Sequence, residues 1–354
     1  MGIRIGINGF GRIGRNFLRC SLHEPDFDFV AINDITDTKT LAHLLKYDSV
    51  LGALDLKIKS EEQSIVVGDR KIRVTSKKDP SRLLWKELEV DLVIEATEEQ
   101  ILLVHSLHLF EFVQAASLRG SYQVDPDTHI SRHSFDAALL AAGAAVRAVS
   151  GIMEKEFSNA FAAVRPPGHH ATPDHAMGFC LFNNIAIAAR LLIQQYKLKH
   201  VLIVDWDVHH GNGTQDIFWD DPSVIYLSLH KKYHYPGTGW EDEIGSGSAK
   251  GTKINYPIEN HSRYMEAFRA GLTKAEQFQP EFILISCGFD AHENDPLGNL
   301  GLTNEMYAEL TQIVFEFAAK FNHQRVFSIL EGGYDYDALA KASAAHVQVL
   351  LNHS

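Results

Sequence analysis

Apolar positions follow two successive patterns along the chain. Residues 3–8 alternate as a strand (Ile3-Arg4-Ile5-Gly6-Ile7-Asn8), a glycine turn follows (Gly9-Phe10-Gly11-Arg12-Ile13-Gly14), and residues 15–22 have helical spacing. A second apolar run, Phe29-Val30-Ala31-Ile32, ends at Asn33-Asp34. From about residue 98, apolar runs alternate with longer helical stretches at 135–149, 184–195, 262–278 and 304–321. That order predicts a parallel sheet covered by helices on both faces. Four of its strands matter most, at 160–164, 201–204, 282–286 and 326–330. Each leads into polar residues: Arg165-Pro166-Pro167-Gly168-His169-His170, then Asp205-Trp206-Asp207-Val208-His209-His210-Gly211-Asn212-Gly213, then Gly288-Phe289-Asp290-Ala291-His292, then Glu331-Gly332-Gly333-Tyr334. Ligands of open parallel sheets bind beyond the carboxyl ends of the strands, so all four motifs are expected on one edge.

The glycine turn near the N-terminus has its own chemistry. Gly9 permits the tight turn, Gly11 lets the main chain approach a pyrophosphate, and Gly14 allows close helix packing. Asp34 follows about 20 residues later, where a dinucleotide-binding unit places an acid on the ribose. Strand, glycines, helix, strand and acid in this order predict a partial Rossmann-type NAD-binding fold.

Asp207 and His209 lie two apart at the end of an extended run, so both side chains are expected on one side, sharing a cation. Asp290, from another strand end, supplies a third ligand and leaves a position open for water or substrate, as in catalytic rather than structural zinc sites. Imidazole and carboxylate donors put zinc first, with iron or cobalt as alternatives. A bound divalent ion lowers the pKa of its water and polarises an acyl oxygen, which suits amide hydrolysis. The tandem His169-His170 offers a base for the water proton and an acid for the leaving nitrogen. Tyr334, after two glycines, can donate its hydroxyl to the oxyanion. Taken singly, these features have plainer readings: a solvated strand end, a buried hydrogen-bonded histidine pair, a packing aromatic. Their convergence favours the chemical reading.

Composition narrows the picture. With 45% hydrophobic and 22% charged residues over 354 positions, the chain is neither disordered nor fibrous. Three cysteines are too few and too scattered for a disulfide framework or a thiolate zinc site, so any metal must use histidine and carboxylate. Cys180 and Cys287 are expected to be small core residues. The first 97 residues carry 15 basic and 15 acidic side chains, so the entire net charge of −12 falls after them. The same region holds only His23 and His43 of the 19 histidines. An acidic second half does not attract nucleic acid. No apolar run approaches the roughly 18 residues of a membrane span, and the N-terminus lacks a signal-peptide core. A cytoplasmic protein without a membrane partner is therefore expected.

Residues 2–97 resemble the opening of phosphorylating glyceraldehyde-3-phosphate dehydrogenase, through INGFGRIGR, AINDITD, LAHLLKYDSVLG and VDLVIEAT. The resemblance implies that Arg12 and Ile13 meet the NAD pyrophosphate, Asp34 the adenosine ribose and Lys78 the adenine side. It stops before any counterpart of that family's nucleophilic cysteine stretch, so dehydrogenase chemistry is not expected.

Residues from about 97 to 350 resemble the zinc-dependent histone deacetylase family, closest to its class II and bacterial deacetylase-like members. The motifs are RPPGHHA, MGFCLFNN, VLIVDWDVHHGNGTQ, SLHKKYHYPGTG, GFDAHENDPLGNL and LEGGYD, in family order. The resemblance implies an arginase/deacetylase-like α/β fold with Asp207, His209 and Asp290 as ligands of one catalytic zinc. It makes His170 the general base and acid and His169 its electrostatic partner, with Asp205 orienting His169 and Asn212 orienting His170. Asp205 and Ser228 would help hold a structural potassium ion. Phe179 and Tyr235 would flank a narrow acyl-lysine channel with Gly178 in its wall, and Tyr334 would stabilise the oxyanion. Leu297 stands where polyamine-selective relatives carry glutamate, which favours an acyl-lysine protein or peptide over a related small acetylated amine. Asp125 or Asp127 matches the rim acid that holds the substrate backbone. His105, His108, His129 and His133 lack ligand spacing and are expected to be ordinary surface or helix residues.

The two resemblances meet within Glu95-Ala96-Thr97, which gives domains of 1–97 and 98–354. The deacetylase family's usual opening strand, His-Pro-Glu-type loop, helix and second strand have no counterpart here. We expect Asp91-Leu92-Val93-Ile94 to replace the lost strand by edge-to-edge docking. The leading function is a metal-dependent amide hydrolase; the runner-up is a catalytically weak or inactive protein that retains zinc or NAD. An NAD-dependent dehydrogenase-related oxidoreductase is third.

Overall fold

A computed structural model of the chain describes residues 3–8, 10, 15, 18–19, 22, 27–34, 36–48, 52–76, 96–321 and 323–353. The chain divides into two compact units, Met1–Val93 and Ile94–Ser354.

In the first unit, β1 (Ile3–Asn8) and β2 (Phe27–Asn33) pair in parallel, as their apolar spacing predicts. Helix α1 (Thr38–Lys46) starts at Asp37, whose carboxylate accepts the Thr40 N–H, and buries Leu41, Ala42 and Leu45. A meander of β3 (Ile58–Glu61), β4 (Ser64–Val67) and β5 (Arg70–Thr75) then completes a five-stranded sheet of order β1-β2-β5-β4-β3. β5 runs parallel to β2, whereas its contacts with β4, and those of β4 with β3, are antiparallel. Phe29, Ile32, Leu45, Ile65 and Ile72 form the core of this unit.

The second unit is built on six parallel strands: β6 (Asn159–Ala162), β7 (Val201–Asp205), β8 (Val224–Lys231), β9 (Lys253–Ile258), β10 (Phe282–Cys287) and β11 (Val326–Leu330). Their order is β6-β11-β10-β7-β8-β9. Every residue of β7, β10 and β11 is buried, which is why these strands read as continuous apolar runs rather than alternating ones. Helices α2 (Leu107–Arg119), α3 (Ser134–Met153) and α4 (Asn184–Gln194) contribute to the core on one face, which contains Val201, Ile203, Leu284 and Phe327. A short helix, α5 (Asn212–Ile217), follows β7. On the other face α6 (Tyr264–Glu276), α7 (Asn304–Ala319) and α8 (Tyr336–Asn352) pack with Leu202, Val204, Ile283 and Ile285.

The four helices predicted after residue 98 and the four key strands are present, with ends displaced by a few residues, while half of the helix expected at 15–22 lies outside the described residues. One expectation needs correction. α3 is 20 residues long and apolar enough by length and composition to cross a membrane. Its alanine-rich surface instead supplies core residues, among them Ala138, Ala142, Ala145 and Val149, beside α4. Residues 77–95 lie outside the described residues, and with them Lys78 and the expected docking strand at 91–94.

Candidate metal centre and active site

Strand register gathers the site. Asp205 pairs with Ser228 on one side and Ser286 on the other, while Cys287 is opposite Leu330. The chain therefore leaves β7, β10 and β11 at nearly one level, and the loops after these strands converge on the same edge of the sheet.

Asp207 Oδ1 and Asp290 Oδ2 lie 3.0 and 3.1 Å from the same atom, His209 Nδ1. One ligand atom from each of the three residues falls within 4.8 Å of the others. Both carboxylates are fully buried, and each spends its second oxygen on main chain: Gly332 N–H donates to Asp207 Oδ2 at 2.8 Å, and Val208 N–H to Asp290 Oδ1 at 2.8 Å. Glycine makes this approach feasible, since a Cβ at Gly332 would stand 2.7 Å from Asp207 Oδ2 and closer still to Asp290 Oδ2. Two buried carboxylates aimed at one imidazole nitrogen require a positive charge between them, so the donor set fits a divalent cation. Burial and the neighbouring Asp207 push the Asp290 carboxyl upward; at Asp207 burial is outweighed by His169 and His209, which hold it low.

The geometric reason for this convergence differs from the one expected. β7 ends at Asp205, and Asp207 and His209 lie in the turn beyond it rather than on an extended run. His209 N–H donates to Asp207 Oδ1 at 2.9 Å, so a turn folds the two side chains together.

His169 and His170 lie beside this centre, with ring centroids 4.0 Å apart and the rings tilted by 46°. His169 Nδ1 pairs with Asp205 Oδ2 at 3.0 Å, whereas His170 Nδ1 pairs with the neutral Asn212 Oδ1 at 2.8 Å. The two imidazoles are consequently driven apart. Burial opposes charge on His169, but Asp205, Asp207 and Glu331 outweigh it and raise its pKa to about 10. Burial and the positive His169 hold His170 well below the usual imidazole range. A charged and a neutral imidazole stand side by side, the pattern of separated acid–base roles. Gly211 belongs to the same construction, because a Cβ there would strike Asp205 and Tyr226.

The residues expected to flank a substrate channel lie around this centre. Gly178 and Phe179 both occupy the left-handed region, with φ of 56° and 67°, in a tight turn closed by two hydrogen bonds between Met177 and Cys180. The turn presents the Phe179 ring, 39% exposed, 6.0 Å from Tyr334. A side chain at Gly178 would meet His170 Cδ2 at 2.5 Å. Tyr235 stands edge-on to His170 at 5.1 Å, and Leu297 is exposed. Asp125 Oδ1 accepts the Asp127 and Thr128 N–H groups, and Thr128 Oγ1 accepts the Phe179 N–H at 3.0 Å. Asp125 thus braces the loop beneath Phe179, while Asp127 is exposed. Burial, followed by Asp125, raises the Tyr235 hydroxyl to about 12.

The family model described as the histone deacetylase domain matches residues 69–350. The chain belongs to the histone deacetylase family. The deacetylase domain is similar to histone deacetylase clr3 of Schizosaccharomyces pombe, at 39% identity over 275 residues covering 73% of this chain and 39% of that protein. It is 40% identical over 247 residues to a probable deacetylase of Archaeoglobus fulgidus, covering 69% of this chain and 68% of the relative. The crystal structure of the HDA15 HD domain superposes with a TM-score of 0.70 at 39% identity, covering 76% of this chain and 79% of that one. The chain thus spans well under half of clr3's length. The NAD-binding domain of glyceraldehyde 3-phosphate dehydrogenase matches residues 3–101, overlapping the deacetylase match at 69–101.

In the NAD-binding segment, Gly9, Gly11, Arg12, Ile13 and Gly14 lie outside the described residues, as does Lys78. Asp34 is described, and its carboxylate receives the Phe10 N–H at 2.7 Å and the Thr36 N–H at 2.9 Å. The acid therefore holds the main chain at Phe10 and Thr36.

Other polar groups of the deacetylase site were not singled out from sequence. Glu331 Oε2 accepts the Gly168 and His169 N–H groups at 2.6 and 3.1 Å, while its Oε1 accepts Ser286 Oγ–H at 3.0 Å. Burial raises its pKa to about 7. Tyr226 OH donates to Asp205 Oδ2 at 2.8 Å and accepts the Gly211 N–H at 3.0 Å. Glu331 was legible as an acid ending an apolar strand; Tyr226, inside β8, carried no such signal. His105 corrects an expectation, being 5% exposed rather than a surface residue. Its Nδ1 lies 2.9 Å from Thr172 O and its Nε2 accepts the Asn183 N–H at 2.8 Å, which joins two loops of the site. Cys180 and Cys287 are buried core thiols, as expected.

Proposed function

We propose that residues 98–354 form a zinc-dependent hydrolase that removes acyl groups, acetyl foremost, from lysine side chains of proteins or peptides. The observation that carries this reading is the approach of Asp207, His209 and Asp290 to one point beside two histidines with contrasting partners, His169 on the Asp205 carboxylate and His170 on the Asn212 amide oxygen. Zinc bound there would lower the pKa of a water and polarise the acyl oxygen. The chain's own residues supply the rest. Phe179 and Tyr235 receive the extended lysine stem, and Asp125 or Asp127 takes the substrate backbone at the rim. Neutral His170, oriented by Asn212, removes the proton from the attacking water and returns it to the leaving amine. Charged His169, fixed by Asp205, adds positive potential near the developing oxyanion. Tyr334 donates its hydroxyl to the same oxygen; burial and Asp290 push its pKa up, which keeps that proton in place.

A structural potassium ion at Asp205 and Ser228 is part of the proposal. Burial lowers the pKa of His230 to about 4, and its Nε2 lies 3.0 Å from the Gly239 carbonyl. Its Nδ1 then accepts the Ser228 hydroxyl proton at 2.9 Å, which leaves the hydroxyl lone pairs for a cation. For the N-terminal segment we propose NAD binding at the glycine turn and Asp34, and a cytoplasmic location for the whole protein.

The test is hydrolysis of an acetyl-lysine peptide beside an N-acetylated polyamine, with Asp207→Asn as control. Peptide turnover that exceeds polyamine turnover and is lost in the control supports the reading. Polyamine preference would overturn the role given to Leu297, and equal turnover in the control would overturn the metal site.

A further inference from the structure

Asp295 is 2% exposed and belongs to none of the groups assigned above. Its two carboxylate oxygens accept four main-chain N–H groups from segments about 40 residues apart. Oδ1 receives Leu297 and Gly298, each at 2.9 Å, in the rim loop that follows Asp290. Oδ2 receives Tyr334 at 2.7 Å and Asp335 at 3.3 Å. Tyr334 follows two glycines, and Gly333 has φ of 141°, a conformation that side chains rarely adopt. Glycines make this turn pliable, so a fixed tyrosine needs an anchor from outside it. Among the described residues, Asp295 is the hydrogen-bond partner of the Tyr334 N–H.

We propose that Asp295 is the positioning residue of Tyr334, holding its main chain against the Leu297 rim loop so that one carboxylate sets both the depth of the hydroxyl and the position of the mouth. This rests on the hydrolase reading above. An asparagine at 295 keeps one acceptor oxygen and turns an NH2 group toward two N–H donors, so one of the two segments must release. A residue acting through Tyr334 loses its influence once the hydroxyl is gone, whereas a general structural role does not.

The experiment is a double-mutant cycle in the zinc-loaded 354-residue chain with Asp295→Asn and Tyr334→Phe, together with amide hydrogen exchange of the wild type and Asp295→Asn. Tyr334→Phe is expected to lower kcat by about 10²–10³-fold, the usual cost of one oxyanion donor. Asp295→Asn should lower kcat by roughly 10–100-fold with zinc content held, any displacement of the mouth appearing in KM, and in kcat the double variant should lie within about threefold of Tyr334→Phe. In the wild type the amides of Leu297, Gly298, Tyr334 and Asp335 should be protected, with those of Tyr334 and Asp335 released in Asp295→Asn. Multiplicative losses in the double variant overturn the proposal. So does an unprotected Tyr334 amide in the wild type, an outcome that holds even if Asp295→Asn fails to fold. A wild type without turnover but with four protected amides would defeat the hydrolase reading and leave the bridge standing.

Discussion

Replacing Gly332 by alanine probes the metal centre without altering any proposed ligand. The added methyl would stand 2.7 Å from Asp207 Oδ2 and nearer still to Asp290 Oδ2, both of them buried. Regaining ordinary carbon contact requires the Asp290 carboxylate to withdraw by about 1 Å. Metal–ligand distances tolerate only about 0.2 Å, so the three donors can no longer meet one ion on equal terms. The Gly332 N–H that fixes Asp207 Oδ2 is displaced with it. Loss of such an orienting contact costs about 10–100-fold in metal affinity, which corresponds to about 1.4–2.8 kcal/mol. A misplacement of this size near reacting groups costs about 10²-fold in rate. The assay is zinc affinity by chelator competition on protein whose folding is checked by circular dichroism, followed by acetyl-lysine turnover. A folded Gly332→Ala variant with wild-type zinc affinity and turnover would refute the idea that glycine makes room for the carboxylates.

Three further outcomes are expected from burial and charge. His346, between Thr311 Oγ1 and Ser328 Oγ at 2.7 Å each, is held down to about 3 by burial, whereas in the unfolded chain it titrates near 6.5. The unfolded state therefore binds the extra proton below pH 6.5, so stability is full above that pH and falls by about 2–3 kcal/mol at pH 4.5. Urea unfolding of His346→Gln should show a shallower loss over this range, and equal slopes would contradict the assignment. Chelation of the metal-loaded protein should abolish turnover and lower the melting midpoint on the order of 10 °C, with both restored by one equivalent of zinc. Phe182, 1% exposed and packed against Phe110, Phe135 and His105, should cost about 3–5 kcal/mol on truncation to alanine, read from the urea midpoint.

Much of this site was legible because its residues sit at predictable places. β7, β10 and β11 are buried on both faces, so their apolar runs were visible in the sequence, and the parallel arrangement puts the loop after each strand on one edge. Asp207, His209, Asp290 and the histidine pair were found by that logic alone. The turn that brings Asp207 to His209 was not, because two residues of spacing fit an extended strand equally well. Asp295, and the role of Glu331, were missed for a different reason. Both act on main-chain N–H groups, and a sequence records no backbone partner. His105 was misplaced because its environment is set by loops near residues 172 and 183, remote along the chain. In the first unit the meander from Ile58 to Thr75 was not anticipated; short strands joined by tight turns give weak periodicity.

The decisive experiment is hydrolysis of an acetyl-lysine peptide by protein carrying one zinc per chain, measured as acetate release beside a His170→Ala variant. The wild type should turn over, and the variant should lose about 10²–10⁴-fold of that rate with zinc content unchanged. Zinc-loaded wild-type protein that releases no acetate, or a His170→Ala variant that releases it at the wild-type rate, would contradict the proposed hydrolase.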